Sequence, residues 1–400
     1  MEKWQQREFG ELYKIPSRNG LSKPSRVRGS GYKMINMGEL FSNDRIYNIN
    51  MELVPLTEAE KEKAKIEKND LLFARQSLVA SGAGKCSIVM ETDDLTVFES
   101  HLIRVRLNPQ IADSMFYYYY FKSFNSPIKA IIQHCVQAGI KASDLEKLFV
   151  AVPPLEIQTK ISGILSKIDD KIEENNRINK NLLHQAQALF ISWFIDYIPF
   201  NGTKPNRWKN ISVYELAEYI NGAAFKKNEY ADKGVPIIKI TELKNGITDA
   251  TQYCCTEKDA KYYIDDRDIL FSWSGNPDTS IDAFLWSNGK AILNQHTFRV
   301  VSKYNAPAFT FFLLKYLKPQ FTHIASNKQT TGLGHVTVAD LKRLQFCADE
   351  NTIREFNAIT MPFFDMIFSN YKENQYLSSL RDTILPQLMS GELDVSNITL

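Results

Sequence analysis

The chain has few cysteines, and they show none of the spacings used by metal or redox sites. Among 400 residues there are five cysteines and six histidines, with no C-x-x-C pair and no histidine ladder beside a cysteine. A zinc site and a disulfide framework are therefore not expected. The cysteine usage instead predicts a protein of the reducing cytoplasm.

The sequence also lacks a long apolar run and an excess of charge. No stretch approaches the roughly 18 apolar residues of a membrane-spanning helix, and the opening MEKWQQREFG is too polar to predict a signal peptide. The net charge is only +2, so a nucleic-acid partner would need locally clustered basic residues. With 44% hydrophobic and 12% aromatic residues, the chain can fill two or three domain cores, and we expect a soluble protein.

An internal repeat spans most of the sequence. Landmarks recur in the same order about 195 to 205 positions later, and the offset shrinks along the chain as small deletions in the second copy would make it. The clearest pairs are GYKMINMGEL from Gly31 with GVPIIKITEL from Gly234, DLLFAR from Asp70 with DILFSW from Asp268, and HLIRVRL from His101 with HTFRVVS from His296. We infer two copies of one structural module.

Each copy predicts a compact α+β domain followed by a long helix. Short β-type runs alternate with Gly, Asn, Asp and Pro turns, and an aromatic-rich helical stretch lies between the strands. We therefore expect an α+β fold with an internal pseudo-two-fold repeat, in which two similar α/β domains are separated by two long antiparallel coiled-coil helices. The predicted segments are 1–152 and 199–348 for the domains, and 153–198 and 349–400 for the helices.

The long helices carry a heptad seam that includes asparagines. A 4-3-4-3 spacing runs from Ile161 to Trp193 and again from Phe356 to Leu388, over about 48 Å at ~1.5 Å per residue. Antiparallel pairing would place Asn175 against Asn374 and Asn179 against Asn370, and buried asparagines fix the register of a coiled coil. The alternative is that the four asparagines lie at the seam edge in contact with water. Pro386 should end or kink the second helix.

Two related domains at a fixed separation suit a ligand with repeating sites along a line, such as duplex DNA with its groove every ~34 Å. Polar, glycine-rich loops at corresponding places supply candidate contacts, although such loops are often only turns. Basic and amide side chains suit phosphates and base edges. The candidates are Lys23, Arg26, Arg28, Lys33, Arg75, Gln76, Ser77, Ser81 and Lys85 in the first copy, and Lys226, Lys227, Trp273, Ser274, Asn276 and Asp278 in the second. Because these loops differ between the copies, an asymmetric two-part target is expected.

No catalytic or metal-binding motif is found. The SGAGKCS segment lacks the first glycine and the Ser or Thr of a phosphate-binding loop, and no methyltransferase motif of the NPPF type is present. His101 and His296 occupy matching repeat positions, which favours a packing or hydrogen-bonding role. The acidic run that begins at Asp169 and Asp170 is interpreted as a solvated helix face. Neither catalytic nor metal-ligating residues are predicted.

The repeat of domain plus helix, the segment VPPLEIQTKISGILSKIDDKIEENNRINKNLLHQAQALFISWF and the C-terminal LRDTILPQLMSGEL resemble the specificity (S) subunits of Type I restriction-modification systems. The resemblance covers essentially the whole chain. The second copy departs from it, since CADENTIRE replaces VPPLEIQ and nothing closely matches ISWF.

The resemblance implies that each domain is a target-recognition domain for one part of a split double-stranded DNA sequence and that the helices set the spacing. It implies no catalytic centre in this chain. It also implies two methyltransferase (M) subunits as partners, to which two restriction (R) subunits can be added, and these partners would carry S-adenosylmethionine, ATP and Mg²⁺. Phe190 and Phe194 are candidates to receive an M subunit. The alternatives are a fused or degenerate nuclease or methyltransferase, and a coiled-coil scaffold that binds only proteins.

Overall fold

The computed structural model describes residues 4–77, 82–93, 95–134, 138–329 and 332–398. Ser81, one of the predicted DNA contacts, lies outside these residues. The chain divides into two units: Met1–Asp170 with Ser378–Leu400, and Lys171–Leu377. No helix in the described part of the chain combines the length and apolar character needed to cross a membrane.

The first unit is built on a five-stranded sheet with strand order β2-β10-β6-β8-β4. Smaller ladders join β1 to β13, β5 to β3 to β9, and β11 to β12 to β7. The strands are β1 (Gln5–Glu8), β2 (Tyr13–Asn19), β3 (Tyr32–Ile35), β4 (Arg45–Ile46), β5 (Glu52–Val54), β6 (Leu71–Ala74), β7 (Gln76–Ser77), β8 (Cys86–Val89), β9 (Thr96–Phe98), β10 (Leu102–Leu107), β11 (Gln133–His134), β12 (Ala138–Gly139) and β13 (Phe149–Val152). The helices are α1 (Met37–Ser42), α2 (Glu58–Ala64), α3 (Ser114–Lys122), α4 (Ala142–Glu146) and the start of the long α5 (Leu155–Phe194).

Helix α3 lies against this sheet because its sequence SMFYYYYFK is apolar on nearly every side. Phe116, Tyr117, Tyr118 and Tyr119 are completely buried, and burial raises the pKa of all three tyrosines. Asp113 caps the helix by accepting a hydrogen bond from the Phe116 N–H. The aromatic stretch is therefore part of the first unit's hydrophobic core.

The second unit has a four-stranded sheet of order β15-β24-β20-β22. Additional ladders have the orders β14-β26, β16-β18-β17-β23-β19 and β21-β25. Its strands are β14 (Lys209–Ser212), β15 (Ala217–Asn221), β16 (Tyr230–Ala231), β17 (Val235–Ile238), β18 (Tyr253–Cys254), β19 (Tyr263–Ile264), β20 (Ile269–Ser272), β21 (Ser274–Gly275), β22 (Asp282–Leu285), β23 (Ala291–Leu293), β24 (Thr297–Ser302), β25 (Gly334–His335) and β26 (Gln345–Ala348). The helices are α6 (Ile240–Asn245), α7 (Pro277–Ser280), α8 (Pro307–Tyr316), α9 (Lys318–Ser326), α10 (Val338–Arg343) and most of the long α11 (Glu350–Ser390).

The two units share the same core topology, which confirms the pseudo-repeat. Strands β2, β10, β6 and β8 correspond to β15, β24, β20 and β22, with antiparallel pairing between neighbours in both sheets. The parallel pair of β3 and β9 corresponds to the parallel pair of β17 and β23. The observed architecture is therefore the predicted α+β fold, present once in each unit.

Helices α5 and α11 contribute a segment to each unit and pair antiparallel within it. In the first unit Asp169 of α5 contacts Arg381 of α11, and in the second Asn179 contacts Asn370. Seam positions such as Ile161 and Leu165 are fully buried, as the heptad spacing predicts. The aromatic-rich α8 packs over the second sheet as α3 does over the first.

Three expectations about these helices need correction. Of the two outcomes predicted for Pro386, an end or a kink, the end is wrong, because α11 continues to Ser390. Phe190 and Phe194 are 0% and 3% exposed in the core of the second unit, so they cannot receive a partner subunit. Asp169 is not part of a solvated face, because only 6% of it is exposed.

Candidate nucleic-acid interface

In the first unit, several predicted contact residues lie where the central strands β6 and β10 meet. Arg75 follows β6 directly, and its backbone is held on both sides: its N–H donates to the carbonyl of His101 at 2.8 Å, and its carbonyl accepts from the N–H of Ile140 at 2.9 Å. The guanidinium of Arg75 forms no ion pair with any described carboxylate. A fixed backbone with an uncommitted guanidinium is suited to bidentate hydrogen bonding with an external group.

Gln76 is oriented by a neighbouring histidine. Nδ1 of His101 lies 3.0 Å from Oε1 of Gln76, so the histidine has the hydrogen-bonding role that its repeat position predicts. Gln76 is on β7, which pairs with β12 at Gly139, and a Cβ at Gly139 would come within 2.9 Å of the Arg75 carbonyl. The glycine therefore allows the β12 backbone to lie against the residues proposed for recognition.

The second unit repeats this backbone frame with a different side chain. Trp273 follows β20, its N–H donates to the carbonyl of His296 at 3.4 Å, and its carbonyl accepts from the N–H of Val336 at 2.8 Å. The indole Nε1 donates to Oδ1 of Asn221 at 3.2 Å, and the ring lies 5.8 Å from that of Phe298. Arg75 and Trp273 thus occupy equivalent positions, but one presents a cation and the other an aromatic surface.

Close to these backbone hydrogen bonds, each unit has a glycine that lets two backbone segments approach one another. A Cβ on Gly20 would lie 2.1 Å from the Phe98 carbonyl oxygen, and one on Gly222 would lie 2.2 Å from that of Asn294. No other residue fits this approach of two backbones. This pair was not predicted, although both glycines follow an asparagine at matching repeat positions.

Ser274 and Asn276 have structural duties in the second unit. Ser274 is on β21 and pairs with His335 of β25. The Oδ1 of Asn276 caps α7 by accepting hydrogen bonds from the N–H groups of Asp278 and Thr279, both at 3.1 Å. Only the amide Nδ2 of Asn276 remains to contact a ligand.

Most of the predicted basic contacts in the first unit are already paired with acidic residues. The salt bridges are Lys23 with Glu60 at 2.8 Å, Arg28 with Glu52 at 2.6 Å, Lys33 with Asp93 at 2.7 Å, and Lys85 with Asp44 at 3.0 Å. The hydrogen bond from Lys23 lowers the pKa of Glu60, and the one from Lys33 lowers the pKa of Asp93. These four side chains therefore have local partners that a phosphate would have to displace.

Arg26, Lys226 and Lys227 are more available. Arg26 lies in a short 3-10 turn, Ser25–Val27, and is exposed without an acidic partner among the described residues. Lys226 and Lys227 are also exposed, while the nearby Glu229 is bound by Lys258 at 2.5 Å. The predicted cations thus fall into a group paired with carboxylates and a group that is more available.

The seam asparagines lie within the second unit and bond directly to one another. Nδ2 of Asn175 donates to Oδ1 of Asn374 at 2.9 Å, and Nδ2 of Asn370 donates to Oδ1 of Asn179 at 2.7 Å. Asn175 also donates to Glu373 at 2.7 Å. Asn175, Asn179 and Asn370 are buried, so these three amides lie in the interior and not at a seam edge in contact with water.

Ion pairs made by the long helices were not identified from the sequence. In the first unit Asp169 accepts hydrogen bonds from Arg381 and from the hydroxyl of Tyr119, both at 2.7 Å. In the second unit Arg267 pairs with Asp365. The sequence did contain a signal for the first pair, because Arg381 is a charged residue at a heptad seam position, where a buried acidic partner is expected.

The comparisons with known proteins agree with this architecture. Residues 1–184 and 205–347 match the family model described as Type I restriction modification DNA specificity domain. The chain is 23% identical over 377 residues to the Type I restriction enzyme MjaIX specificity subunit of Methanocaldococcus jannaschii, covering 87% of this chain and 85% of that protein. It is 21% identical over 481 residues to the HindI specificity subunit of Haemophilus influenzae, covering 98% and 100%.

A solved structure shares the fold. The Type I restriction-modification S subunit from M. genitalium superposes with a TM-score of 0.54 at 18% identity, over 96% of each chain. The family model matches most of the sequence, in two segments. The chain belongs to the Type I restriction-modification DNA specificity family.

Proposed function

We propose that this chain is the DNA-recognition subunit of a Type I restriction-modification enzyme and reads an asymmetric, two-part duplex sequence, one part with each unit. The observation that carries the proposal is the shared frame with different residues on it: Arg75 and Gln76 in the first unit, Trp273 and Ser274 in the second. Identical residues at these places would favour a symmetric target. Different ones favour two unlike half-sites.

The chemistry of the two positions suggests what each half-site contains. A guanidinium fits O6 and N7 of guanine, and a carboxamide fits N6 and N7 of adenine. Arg75 and Gln76 are therefore suited to a purine pair. Trp273 cannot make a bidentate contact, since its indole has one donor, and that donor bonds to Asn221. Its ring suits apolar contact with a thymine methyl group or a sugar.

We further propose that two M subunits, and in the restricting form two R subunits, assemble on this chain. The support is that the relatives are named as specificity subunits of restriction enzymes. In this scheme S-adenosylmethionine, ATP and Mg²⁺ act in the partner subunits, and this chain contributes recognition rather than catalysis. The antiparallel helices, locked by their asparagine pairs, would determine the number of unread bases between the half-sites.

The proposal is tested by mapping methylated adenines in a methylation-free host that expresses this chain with its M subunits. A split, asymmetric motif is expected. Arg75→Ala should relax one half of that motif, and Trp273→Ala should relax only the other. Loss of a bidentate guanine contact costs about 1–3 kcal/mol of discrimination. Lys85→Ala, at a residue paired with Asp44, is the matched control and should leave both halves unchanged.

A continuous palindrome, or two variants that alter the same half, would contradict the two-part model. The two other hypotheses, a fused enzyme and a scaffold that binds only proteins, are distinguished by simpler assays. Purified chain with S-adenosylmethionine and Mg²⁺ should neither methylate nor cut DNA, and either activity would favour a fused enzyme. A scaffold for proteins alone would show no salt-dependent binding to duplex DNA.

A further inference from the structure

A cleft beside Trp4 in the first unit stands apart from the proposed DNA contacts. It has a volume of about 680 Å³ and lies between strand β1, the start of α5 and the segment after α11. Its lining includes Trp4, Ile157 and Ile161, and the exposed side chains of Leu155 and Leu393. This volume lies within the range of protein sites that bind small ligands or peptide side chains.

The second unit contains an equivalent place that is filled. Trp208 precedes β14 as Trp4 precedes β1, and both strands pair with the strand that leads into a long helix. The rings of Tyr197 and Phe200, from the segment after α5, lie 5.7 Å and 5.3 Å from Trp208. Together with Phe194 of α5, whose ring lies 5.6 Å from that of Trp208, they leave Trp208 only 6% exposed.

The first unit lacks this aromatic cover among the described residues. The segment after α11 follows a different path: Gly391 lies against the Trp4 ring, and Val395 is buried in the core. Lys160 holds this segment by donating a hydrogen bond to the Ser396 carbonyl at 2.7 Å. Leu393 is left 40% exposed, and the only described ring near Trp4 is that of Phe116 at 6.3 Å.

We propose that the Trp4 cleft binds a peptide segment of a partner protein that presents aromatic side chains, in the way that Tyr197 and Phe200 cover Trp208. The repeat itself identifies the chemistry of the occupant, because the same frame with the same tryptophan is completed by two rings in the other unit. Arg7 and Asp394 at the cleft supply one charge of each sign, so the polar ends of an extended peptide can both be matched. Peptide binding here does not depend on DNA recognition.

The test uses the full chain without DNA and a fluorescent synthetic peptide with the sequence of residues 195–202 as the aromatic probe. Fluorescence anisotropy should show saturable binding, and a peptide with both aromatic residues changed to alanine should bind at least tenfold more weakly. Leu393→Glu should weaken binding of the aromatic peptide at least tenfold. Leu393 is exposed, so the substitution should not disturb folding, which circular dichroism would verify. Phe124→Glu, at a residue that is 79% exposed in the same unit but outside the cleft, should have no effect.

Three results would overturn the proposal. The first is absence of binding, or binding that is equal for the Leu393→Glu and Phe124→Glu variants. The second is a peptide that binds only after residues 399–400 are deleted, which would assign the cleft to this chain itself. The third is self-association in sedimentation experiments that Leu393→Glu abolishes, which would assign the cleft to a second copy of the chain.

Discussion

Removing the Arg381 side chain should destabilise the first unit more than the loss of an ordinary ion pair. Arg381 Nη1 donates to Asp169 at 2.7 Å, and the side chain of Asp169 is only 7% exposed. Burial alone would lower the pKa of Arg381, but the hydrogen bond to Asp169 and the negative charge of that carboxylate outweigh burial and raise it. The guanidinium is therefore the charge that allows the Asp169 carboxylate to be buried.

The expected cost follows from that burial. Breaking a buried pair by removing one partner leaves an uncompensated charge and costs about 3–5 kcal/mol. In Arg381→Ala the Tyr119 hydroxyl still donates to Asp169, so we place the loss toward about 3 kcal/mol. Arg177→Ala is the comparison, because Arg177 is 70% exposed in its pair with Glu174 and such surface pairs contribute about 0–1 kcal/mol.

Urea unfolding followed by circular dichroism measures these free energies, and hydrogen exchange shows which unit opens. Exchange should increase in α3 and in the two helix segments that belong to the first unit. Adding Asp169→Asn to Arg381→Ala removes the lone charge and should recover part of the loss. If Arg381→Ala costs no more than Arg177→Ala, the buried ion pair between α5 and α11 does not stabilise the first unit, and the reasoning fails.

Three further predictions concern the DNA contacts, the helix register and the pH dependence of stability. Arg26→Ala should weaken DNA binding and reduce the slope of log affinity against log salt by about one. Lys85→Ala should change this slope less, because the Lys85 ammonium is already paired with a carboxylate. Filter binding across a salt series measures both slopes. Asn370→Leu should cost about 1–3 kcal/mol, because the buried Oδ1 of Asn179 loses its donor. Combining Asn179→Leu with Asn370→Leu should recover that stability but loosen the register, as thermal melts and cysteine cross-linking along the helices would show. Burial raises the pKa of Asp282, but Lys315 and Lys318 outweigh burial and lower it below the ordinary value of 3.8. Its stabilising effect is therefore present above pH 3.8 and lost as the pH falls through the folded-state pKa, so Asp282→Asn should reduce the acid dependence of unfolding below about pH 4.

The repeat, the fold class and the long helices follow from the sequence because each rests on local spacing. Matching landmarks at a slowly drifting offset predict two copies, and a heptad rhythm predicts a seam wherever it occurs. The asparagine contacts also follow, since antiparallel pairing of equivalent helices brings equivalent positions together with their order reversed. The structure contains the two hydrogen-bonded pairs that this symmetry requires, Asn175 with Asn374 and Asn179 with Asn370.

What the sequence did not predict depends on contacts between residues distant in the chain. Lys23 and Arg28 resemble free cations locally, but their acidic partners Glu60 and Glu52 arrive from other strands and helices. A heptad describes only the helix face toward the other helix, so it could not show that Phe190 faces a sheet-domain core. A proline inside a helix normally breaks or kinks it, so the local sequence predicted an end or a kink at Pro386. Burial of Leu385 before the proline and Leu388 after it favours continuation of the helix.

The internal repeat separates structural from recognition residues more sharply than either copy alone. Positions with the same residue in both units, such as Gly20 with Gly222 and His101 with His296, have the same backbone surroundings twice and so are explained by the frame. Arg75 and Trp273 share that frame but not their chemistry, and therefore folding alone cannot account for both. A substitution at a frame glycine should thus reduce the stability of its unit. An exchange at the Arg75 position should change the recognised sequence and leave stability nearly unchanged. An exchange at Trp273 should change the recognised sequence and also reduce stability, because the indole contacts Asn221 and Phe298.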